Sequence, residues 1–290
     1  MNENNAINPF EKEVIQITDD EFKKLSALVY QKIGINLPES KRTLLMVRLQ
    51  RIVRELGFTT FDQYYNHIIT DHTGSALSEL ASRISTNYTF FYRESQHFDF
   101  FKDTALPEII KNQEKRRLRN LRIWCAGCSS GEEPYMLVML MKEKMGFNYS
   151  AWDAGVLATD ISEDMIKIAK EAVYPKESVE KVPEQIKKRY FKPCGDGDFS
   201  VIDEVRREVT IRKYNLISKE TPFNTKFHVI FCRNVMIYFD RTTRNDVVRK
   251  LSNLLFPGGY LFIGHSETIE REIGGLKYVV PSVYMKKEEL

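Results

Sequence analysis

The chain has 290 residues, enough for one large domain or two ordinary ones, and its 42% hydrophobic content is typical of a folded globular protein. Its 43 basic and 40 acidic residues leave a net charge of only +3, so bulk charge gives no support for a nucleic-acid partner. Because the sequence shows neither a signal pattern nor a membrane-spanning apolar run, we expect a soluble cytoplasmic protein with reduced thiols and no membrane insertion.

Helical patterns fill the first part of the chain, after a flexible polar lead-in predicted over residues 1–18. Thr18 begins a capping-box pattern for the first helix, which is predicted over 19–33. Further helices are predicted over 39–56, 61–70 and 75–85. No strand pattern precedes residue 120, so we expect a small N-terminal all-helical domain over 19–95.

Strand and helix patterns alternate in the rest of the chain. Strands are predicted over 121–126, 155–160, 209–215, 228–234 and 260–264, and helices over 96–120, 132–145, 242–255 and from Ser162. Such alternation predicts an α/β fold with a mostly parallel sheet, here a Rossmann-like domain over 96–290 that ends in an antiparallel strand pair. The stretch 175–208 breaks the alternation and predicts a small inserted β-subdomain.

The turn after the first strand, AGCSSGEEPY at 126–135, has features of a ligand-binding loop. Gly127 and Gly131 let the backbone approach a ligand closely, and the helix behind them begins with unpaired N–H groups. Glu132 and Glu133 would repel a pyrophosphate and would suit a cationic ligand such as S-adenosylmethionine. The alternative is that both glutamates only complement the helix dipole.

Asp160 follows the second predicted strand, where an acidic side chain can bind ribose hydroxyls; the alternative is an exposed aspartate in a loop. Ligands in open α/β sheets bind at the carboxyl ends of the strands. We therefore expect residues 127–133, 160, 215 and 233–234 to converge.

Four segments resemble the signature segments of the CheR family of chemotaxis receptor methyltransferases: STNYTFFYRE (85–94), WCAGCSSGEEPY (124–135), FCRNVMIYFD (231–240) and GHSE (264–267). They stand in the family's order, and the resemblance covers about residues 20–286. It implies a class I methyltransferase domain that transfers a methyl group from S-adenosylmethionine to receptor glutamates, leaving S-adenosylhomocysteine, without a metal. The implied partner is the cytoplasmic helical methylation region of membrane chemoreceptors, bound by a monomeric enzyme without nucleic acid.

The resemblance also assigns individual residues. The implied cofactor-binding residues are Asn87, Thr89, Arg93, Glu133, Asp160, Asn215, Leu216, Arg233 and Asn234. Arg93 and Tyr238 are the expected catalytic residues, with Arg93 orienting the substrate carboxylate and Tyr238 beside the transferring methyl. No general base is needed, because a glutamate with a pKa of about 4.3 is already ionised at neutral pH. The alternative for Arg93 is a salt bridge to Glu94 or another acid.

The helix KRTLLMVRLQRIVR at 41–54 carries five basic residues and no acidic one. These residues are Lys41, Arg42, Arg48, Arg51 and Arg54. Their spacing places most of them opposite the apolar side chains of the same helix. The resemblance implies that this basic face docks the glutamate-rich receptor helices, and the alternative is an ordinary solvated face.

Other functions have weaker support. A nucleic-acid methyltransferase and a non-catalytic S-adenosylmethionine-binding module use the same fold, but no Pro-Pro-Tyr motif follows the fourth strand. The CAGC sequence at 125–128 has no second ligand pair, so a metal or redox role is disfavoured. For His265, a loop-orienting role is favoured over catalysis. Some family members capture a receptor C-terminal peptide on a glycine-rich loop, but the matching stretch 192–203 looks short and favours docking on the methylation helices alone.

Overall fold

The computed structural model describes residues 14–270 and 272–288, so the lead-in predicted over 1–18 lies mostly outside the described residues. Four helices form the N-terminal unit: α1 (Asp19–Ile33), α2 (Arg42–Glu55), α3 (Phe61–Thr70) and α4 (Ser75–Ile84). Their buried faces meet in one apolar cluster that extends from Ile17 to Ile84.

Local capping explains where these helices begin and end. The Thr18 hydroxyl accepts from the Glu21 backbone while the Glu21 carboxylate accepts from the Thr18 backbone, so the predicted capping box is confirmed. Gly34 ends α1 with a φ of 82°, which glycine adopts without strain. The second helix begins later than predicted, because Glu39–Lys41 form a 3-10 turn before it.

Helices and strands alternate after the N-terminal unit. The helices are α5 (Ser95–Phe100), α6 (Leu106–Lys115), α7 (Glu132–Met145), α8 (Glu163–Glu171), α9 (Glu184–Tyr190), α10 (Asp203–Arg206) and α11 (Arg241–Asn253). The strands are β1 (Asn120–Ala126), β2 (Asp153–Asp160), β3 (Val173–Tyr174), β4 (Phe191–Cys194), β5 (Asp198–Val201), β6 (Val209–Lys213), β7 (Phe227–Cys232), β8 (Leu255–Ile263), β9 (Leu276–Val280) and β10 (Val283–Lys286). The helix predicted over 96–120 continues from α5 into α6 through a π-helical turn at Phe101–Ala105. Its predicted end at 120 is wrong, because α6 ends at Lys115 and Asn120 already begins β1.

Seven strands form the main sheet in the order β6-β2-β1-β7-β8-β10-β9. The first five of these are mutually parallel, and β10 is antiparallel to both β8 and β9. The strand order reverses at β1, which lies between β2 and β7, and such a switch point opens a crevice at the carboxyl ends of the strands. The segments that follow β1, β2, β6 and β7 therefore meet at one edge.

The remaining strands form a separate antiparallel sheet in the order β3-β5-β4. Asp196 and Gly197 in the β4–β5 turn both have positive φ, as a tight hairpin requires. The predicted fold class is thus confirmed: an all-helical N-terminal domain, then a Rossmann-like domain with a small inserted β-subdomain. Among the helices of the described residues, none combines the length and the apolar character needed to cross a membrane.

Polar contacts hold the helical unit against the carboxyl edge of the main sheet. The Tyr30 hydroxyl donates to Asp240 at 2.9 Å, and the backbone N–H of Asn36 donates to the Tyr238 carbonyl at 2.9 Å. The hydroxyls of Ser82 and Ser162 lie 2.7 Å apart. These contacts close one side of the space in front of the sheet edge.

Candidate active site

A cleft of about 980 Å³ lies between the helical unit and the carboxyl edge of the main sheet. It is lined by every residue that was predicted to bind the cofactor or to act in catalysis: Asn87, Thr89, Arg93, Glu133, Asp160, Asn215, Leu216, Arg233, Asn234 and Tyr238. None of the five basic residues predicted to dock the substrate lines it. The structure brings the first set together, and the roles of its individual members stay predictions.

Asp160 ends β2 and organises the glycine turn that follows β1. Its carboxylate accepts from the backbone N–H of Ser129 at 2.8 Å and from that of Ser162 at 2.9 Å. Burial raises the pKa of Asp160, and these backbone donors partly oppose the rise. A carboxylate buried at the cleft wall gains from further hydroxyl donors, which is what the predicted ribose contact would provide.

The glutamate pair at the start of α7 is divided between two environments. Glu133 lines the cleft, whereas Glu132 does not and instead accepts from the Ser130 hydroxyl at 2.7 Å. Neighbouring residues on a helix point about 100° apart, so only one of the two can face the ligand. The expectation that both carboxylates face a cationic ligand is therefore wrong for Glu132.

Arg233 follows β7 and forms the buried charge centre of the site. Its side chain is 3% exposed and binds Glu133 at 2.8 Å and Glu94 at 3.0 Å. It also donates to the backbone carbonyl of Arg93. Burial raises the pKa of Glu133 despite the arginine, whereas at Glu94 the Arg233 charge and hydrogen bonds outweigh burial and lower the pKa. One cation therefore holds two carboxylates from distant parts of the chain.

Residues 85–94, called the linker segment here, run along the cleft and contain Asn87, Thr89 and Arg93. The Asn87 carbonyl accepts from the Ser129 hydroxyl at 3.0 Å. Arg93 donates through Nη1 to the Tyr88 carbonyl at 2.6 Å, and its guanidinium lies 5.9 Å from the centre of the Tyr88 ring. Arg93 makes no salt bridge to Glu94, whose charge partner is Arg233 instead.

Tyr238 joins the linker segment to the helical unit. Its hydroxyl donates to the Thr86 carbonyl at 3.3 Å, and its ring packs against the apolar cluster of α1–α4. The long hydrogen bond and the packed ring fix the side chain at the cleft wall. This placement suits the predicted position beside the reacting methyl group.

Asn215 and Leu216 follow β6, as expected for residues at the sheet edge. The Asn215 side chain donates to the Lys32 carbonyl at the end of α1 at 2.7 Å and accepts from the Ile217 backbone at 3.2 Å. Leu216 is buried, and its carbonyl accepts from Lys250 at 2.6 Å. Asn215 thus contributes to the domain interface as well as to the cleft, and its contact with adenine stays a prediction.

The basic face of α2 is less uniform than its sequence suggests. Arg48 donates to the Ile84 carbonyl and to the Thr86 hydroxyl, so it holds the beginning of the linker segment. Arg42 pairs with Asp19 and Glu39. Arg51 pairs with Glu55 at 2.6 Å but keeps 75% of its side chain exposed. The opposite face is buried as predicted, through Leu45, Leu49, Ile52 and Val53.

Glu94, His97 and His265 have potential metal-binding atoms within 4.8 Å of one another. Both Glu94 oxygens already accept hydrogen bonds, from Arg233 at 3.0 Å and Asn234 at 3.3 Å. Burial, reinforced by the Arg233 charge, lowers the pKa of His97 to about 3. A cation would have to displace or tolerate the arginine, so this cluster is better suited to internal packing. The His265 ring lies 4.5 Å from the His97 ring, and the loop-orienting role of His265 stays a prediction.

The cysteines of the CAGC sequence are buried thiols. Burial raises the pKa of Cys125 and Cys128 well above the ordinary thiol value, and neighbouring carboxylates raise it further. A thiol with a raised pKa is a poor nucleophile and a poor metal ligand at neutral pH. Both residues therefore act as small apolar groups beside the cleft.

Sequence reasoning missed two carboxylates that organise the site, Glu94 and Glu267. Glu94 lies in a quoted signature segment, but its partners Arg233 and Asn234 follow it by about 140 residues. Glu267 ends the GHSE segment, and its partners are backbone N–H groups. Membership of a signature segment was the only available signal for either residue.

Comparison with known proteins bears on both parts of the chain. The model of the CheR methyltransferase SAM-binding domain matches residues 87–283, and that of the CheR all-alpha domain matches residues 20–85. A chemotaxis protein methyltransferase of Borreliella burgdorferi is 42% identical over 94% of this chain and 96% of its own length. A probable chemotaxis protein methyltransferase of Rhizobium etli is 37% identical over 84% and 91%, and the Escherichia coli chemotaxis protein methyltransferase is 35% identical over 88% and 86%.

Proposed function

Because the chain belongs to the CheR family of S-adenosylmethionine-dependent methyltransferases, we propose that it methylates glutamate side chains of bacterial chemoreceptors. The observation that carries the proposal is the convergence of Glu133, Asp160, Arg93 and Tyr238 on one cleft between the two domains. Glu133 and Asp160 suit the cationic cofactor, and Arg93 suits an anionic substrate. The proposed partner is the cytoplasmic helical methylation region of the receptors.

The residues of the cleft fit the cofactor in charge and in hydrogen-bonding groups. Asp160 would hold the ribose, Glu133 the amino group, and Asn215 with Leu216 the adenine, while Asn87, Thr89 and Asn234 would enclose the ligand. When bound, S-adenosylmethionine supplies the methyl group and leaves as S-adenosylhomocysteine.

The substrate carboxylate needs no proton removed before it attacks. Its oxygen forms the new bond to the methyl carbon as the carbon–sulfur bond breaks, and the electron pair of that bond remains on sulfur. An anion and a sulfonium become two neutral groups, so positioning and exclusion of water provide most of the rate enhancement. Arg93, held by the Tyr88 carbonyl, orients the carboxylate, and Tyr238 limits the space beside the methyl group.

The proposal is tested by mass spectrometry of a receptor cytoplasmic fragment after incubation with enzyme and S-adenosylmethionine. We expect added methyl groups on glutamates of the methylation helices and none after those glutamates are replaced by glutamine. Modification of lysine, of the chain termini or of co-purified nucleic acid in place of glutamate would contradict the assignment.

Lys41, which precedes α2 and is half-buried, and Arg51, which is exposed on α2, are proposed to dock the receptor helices. Replacing Lys41 and Arg51 together by glutamate should raise the Michaelis constant for receptor roughly tenfold, about 1.4 kcal/mol, and weaken its salt dependence. Affinity for S-adenosylhomocysteine should stay unchanged, because neither residue lines the cleft. Arg249→Glu, which reverses an exposed charge on α11, is the control and should leave the receptor Michaelis constant unchanged. If the double variant has the wild-type receptor Michaelis constant and salt dependence, the basic face has no docking role.

Arg48→Glu should behave differently from the docking variant. The reversed charge removes the donors to Ile84 and Thr86 and faces their oxygens instead, so the linker segment loses an anchor. We expect weaker binding of S-adenosylhomocysteine by about threefold to tenfold in calorimetry, which corresponds to one or two lost hydrogen bonds. Unchanged cofactor affinity together with a raised receptor constant would instead make Arg48 a docking residue.

The tight β4–β5 hairpin supports docking on the methylation helices alone. Only Gly195–Gly197 connect the two strands, and the Asp198 N–H closes the turn on the Gly195 carbonyl at 2.9 Å. A receptor shortened at its C-terminus should therefore be methylated as fast as the intact receptor. Micromolar binding of a receptor C-terminal pentapeptide, abolished by replacing Gly195 and Gly197, would contradict this expectation.

A further inference from the structure

Glu267 is a buried carboxylate that the proposed chemistry does not use. Glu267 is 6% exposed, and its carboxylate forms no salt bridge within the part of the chain that the structure describes. Instead it accepts four backbone hydrogen bonds. Oε2 accepts from Gly264 at 2.6 Å and Asn234 at 3.0 Å, and Oε1 accepts from Met236 at 2.7 Å and Ile237 at 3.2 Å.

Three of these four donors belong to residues 233–238, called the β7 loop here. Asn234 has a φ of 59°, a left-handed conformation that breaks the regular backbone after β7 and that asparagine tolerates better than most residues. Met236–Tyr238 form a short 3-10 helix, whose first N–H groups have no partner within the helix. The Glu267 carboxylate supplies acceptors for both irregular parts of the loop.

The β7 loop is also confined between two turns that have no room for a side chain. A Cβ atom on Gly264 would lie 2.6 Å from Asn234 Nδ2 and 2.9 Å from the Asn234 backbone nitrogen. A Cβ atom on Gly127 would lie 2.4 Å from Val235 Cγ2. Glu267 and these two glycines therefore together constrain the path of the loop.

We propose that Glu267 is the positioning residue of the site, holding the β7 loop so that Arg233 and Tyr238 at its two ends face the cleft. Arg233 directly precedes the first bound amide, and Tyr238 directly follows the last. Only the part of the inference that concerns methyl transfer through Tyr238 rests on the proposed function. The positioning of Arg233, and through it of Glu133, concerns cofactor binding and stands independently.

Glu267→Gln tests the inference at nearly constant volume. Glutamine has one acceptor oxygen where glutamate has two, and its NH₂ group would face two N–H donors. Hydrogen exchange measured by NMR should become faster at the amides of Asn234, Met236 or Ile237. Affinity for S-adenosylhomocysteine should fall about tenfold, and receptor turnover should fall by at least about tenfold at an unchanged receptor Michaelis constant. Glu270→Gln, an exposed glutamate in the same turn, is the control and should leave all three unchanged.

A second variant protects the test against a folding defect. Gly264→Ala places a Cβ atom against the Asn234 backbone nitrogen and Glu267 Oε2, so it disturbs the same contact and should produce the same pattern of losses. In a Tyr238→Phe background, Glu267→Gln should reduce turnover by less than in the wild type, because part of its effect acts through the Tyr238 side chain. A wild-type protein that binds S-adenosylhomocysteine but methylates no receptor would contradict the proposed function. In that case, amide hydrogen exchange and S-adenosylhomocysteine affinity in Glu267→Gln would still test the positioning role. Unchanged exchange and affinity in Glu267→Gln, with only a lower melting temperature, would overturn it.

Discussion

Asp160→Ala should weaken binding of both S-adenosylmethionine and S-adenosylhomocysteine by roughly 1.5–3 kcal/mol, about 10- to 150-fold. The substitution removes the carboxylate proposed to hold the ribose. It also leaves the Ser129 and Ser162 amides without their acceptor, so the glycine turn loses its anchor. Titration calorimetry measures the effect, and Asp153→Ala at the exposed amino end of the same strand is the matched control.

A ligand without ribose hydroxyls separates the two causes. If Asp160 binds the ribose, the 2′,3′-dideoxy analogue of S-adenosylhomocysteine should bind the wild type weakly and should lose little more in Asp160→Ala. If Asp160 only anchors the glycine turn, the analogue should lose as much affinity on substitution as the natural ligand does. The second outcome, or unchanged affinity for both ligands, would contradict the ribose assignment.

Arg233→Ala should have the largest effect on stability. It leaves Glu133 and Glu94 buried without their shared cation, and breaking a buried ion pair from one side costs about 3–5 kcal/mol. Urea unfolding should show this loss for Arg233→Ala and also for Arg233→Met, which keeps most of the apolar volume. Arg189→Ala removes an exposed partner of Glu143 and should change stability by less than about 1 kcal/mol.

The stability lost in Arg233→Ala should depend on pH in a direction that the two carboxylates determine. Without Arg233, burial is the largest influence left on Glu94 and Glu133, so both pKa values should rise above those of the unfolded chain. A carboxyl group with a raised folded-state pKa binds more protons in the folded state, so stability falls as pH rises from the unfolded to the folded value. The deficit of Arg233→Ala should therefore be larger at pH 8 than at pH 5. A deficit that is independent of pH would show that lost packing, not charge, is responsible.

Features set by neighbouring residues were predictable from the sequence. The capping box of Thr18 and Glu21 and the stop at Gly34 give the bounds of α1, and Gly131 with Gly146 brackets α7 over the predicted 132–145. Strand–helix alternation predicts the parallel sheet, and the carboxyl-edge rule predicts which segments meet at the cleft. Each inference depends only on local pattern or on general topology.

Features set by distant backbone groups were not predictable. Helical spacing places Arg48 on the basic face of α2, but the carbonyl that it binds belongs to Ile84 at the end of α4 and the hydroxyl to Thr86 in the linker segment. Adjacent Glu132 and Glu133 look equivalent in the sequence, and only the path of α7 decides which faces the cleft. The acceptors on Glu267 serve amides about 30 residues away, and backbone amides carry no side-chain signal.

The most direct test of the central claim is the chemistry of the methylated product. The enzyme is incubated with methyl-labelled S-adenosylmethionine and chemoreceptor-containing membranes, and the isolated product is then treated with alkali. Carboxyl methyl esters hydrolyse under these conditions, so the account predicts that the label is released as volatile methanol and that Asp160→Ala enzyme transfers far less of it. Label that stays on protein or nucleic acid after alkali, or no transfer by an enzyme that binds the cofactor, would contradict it.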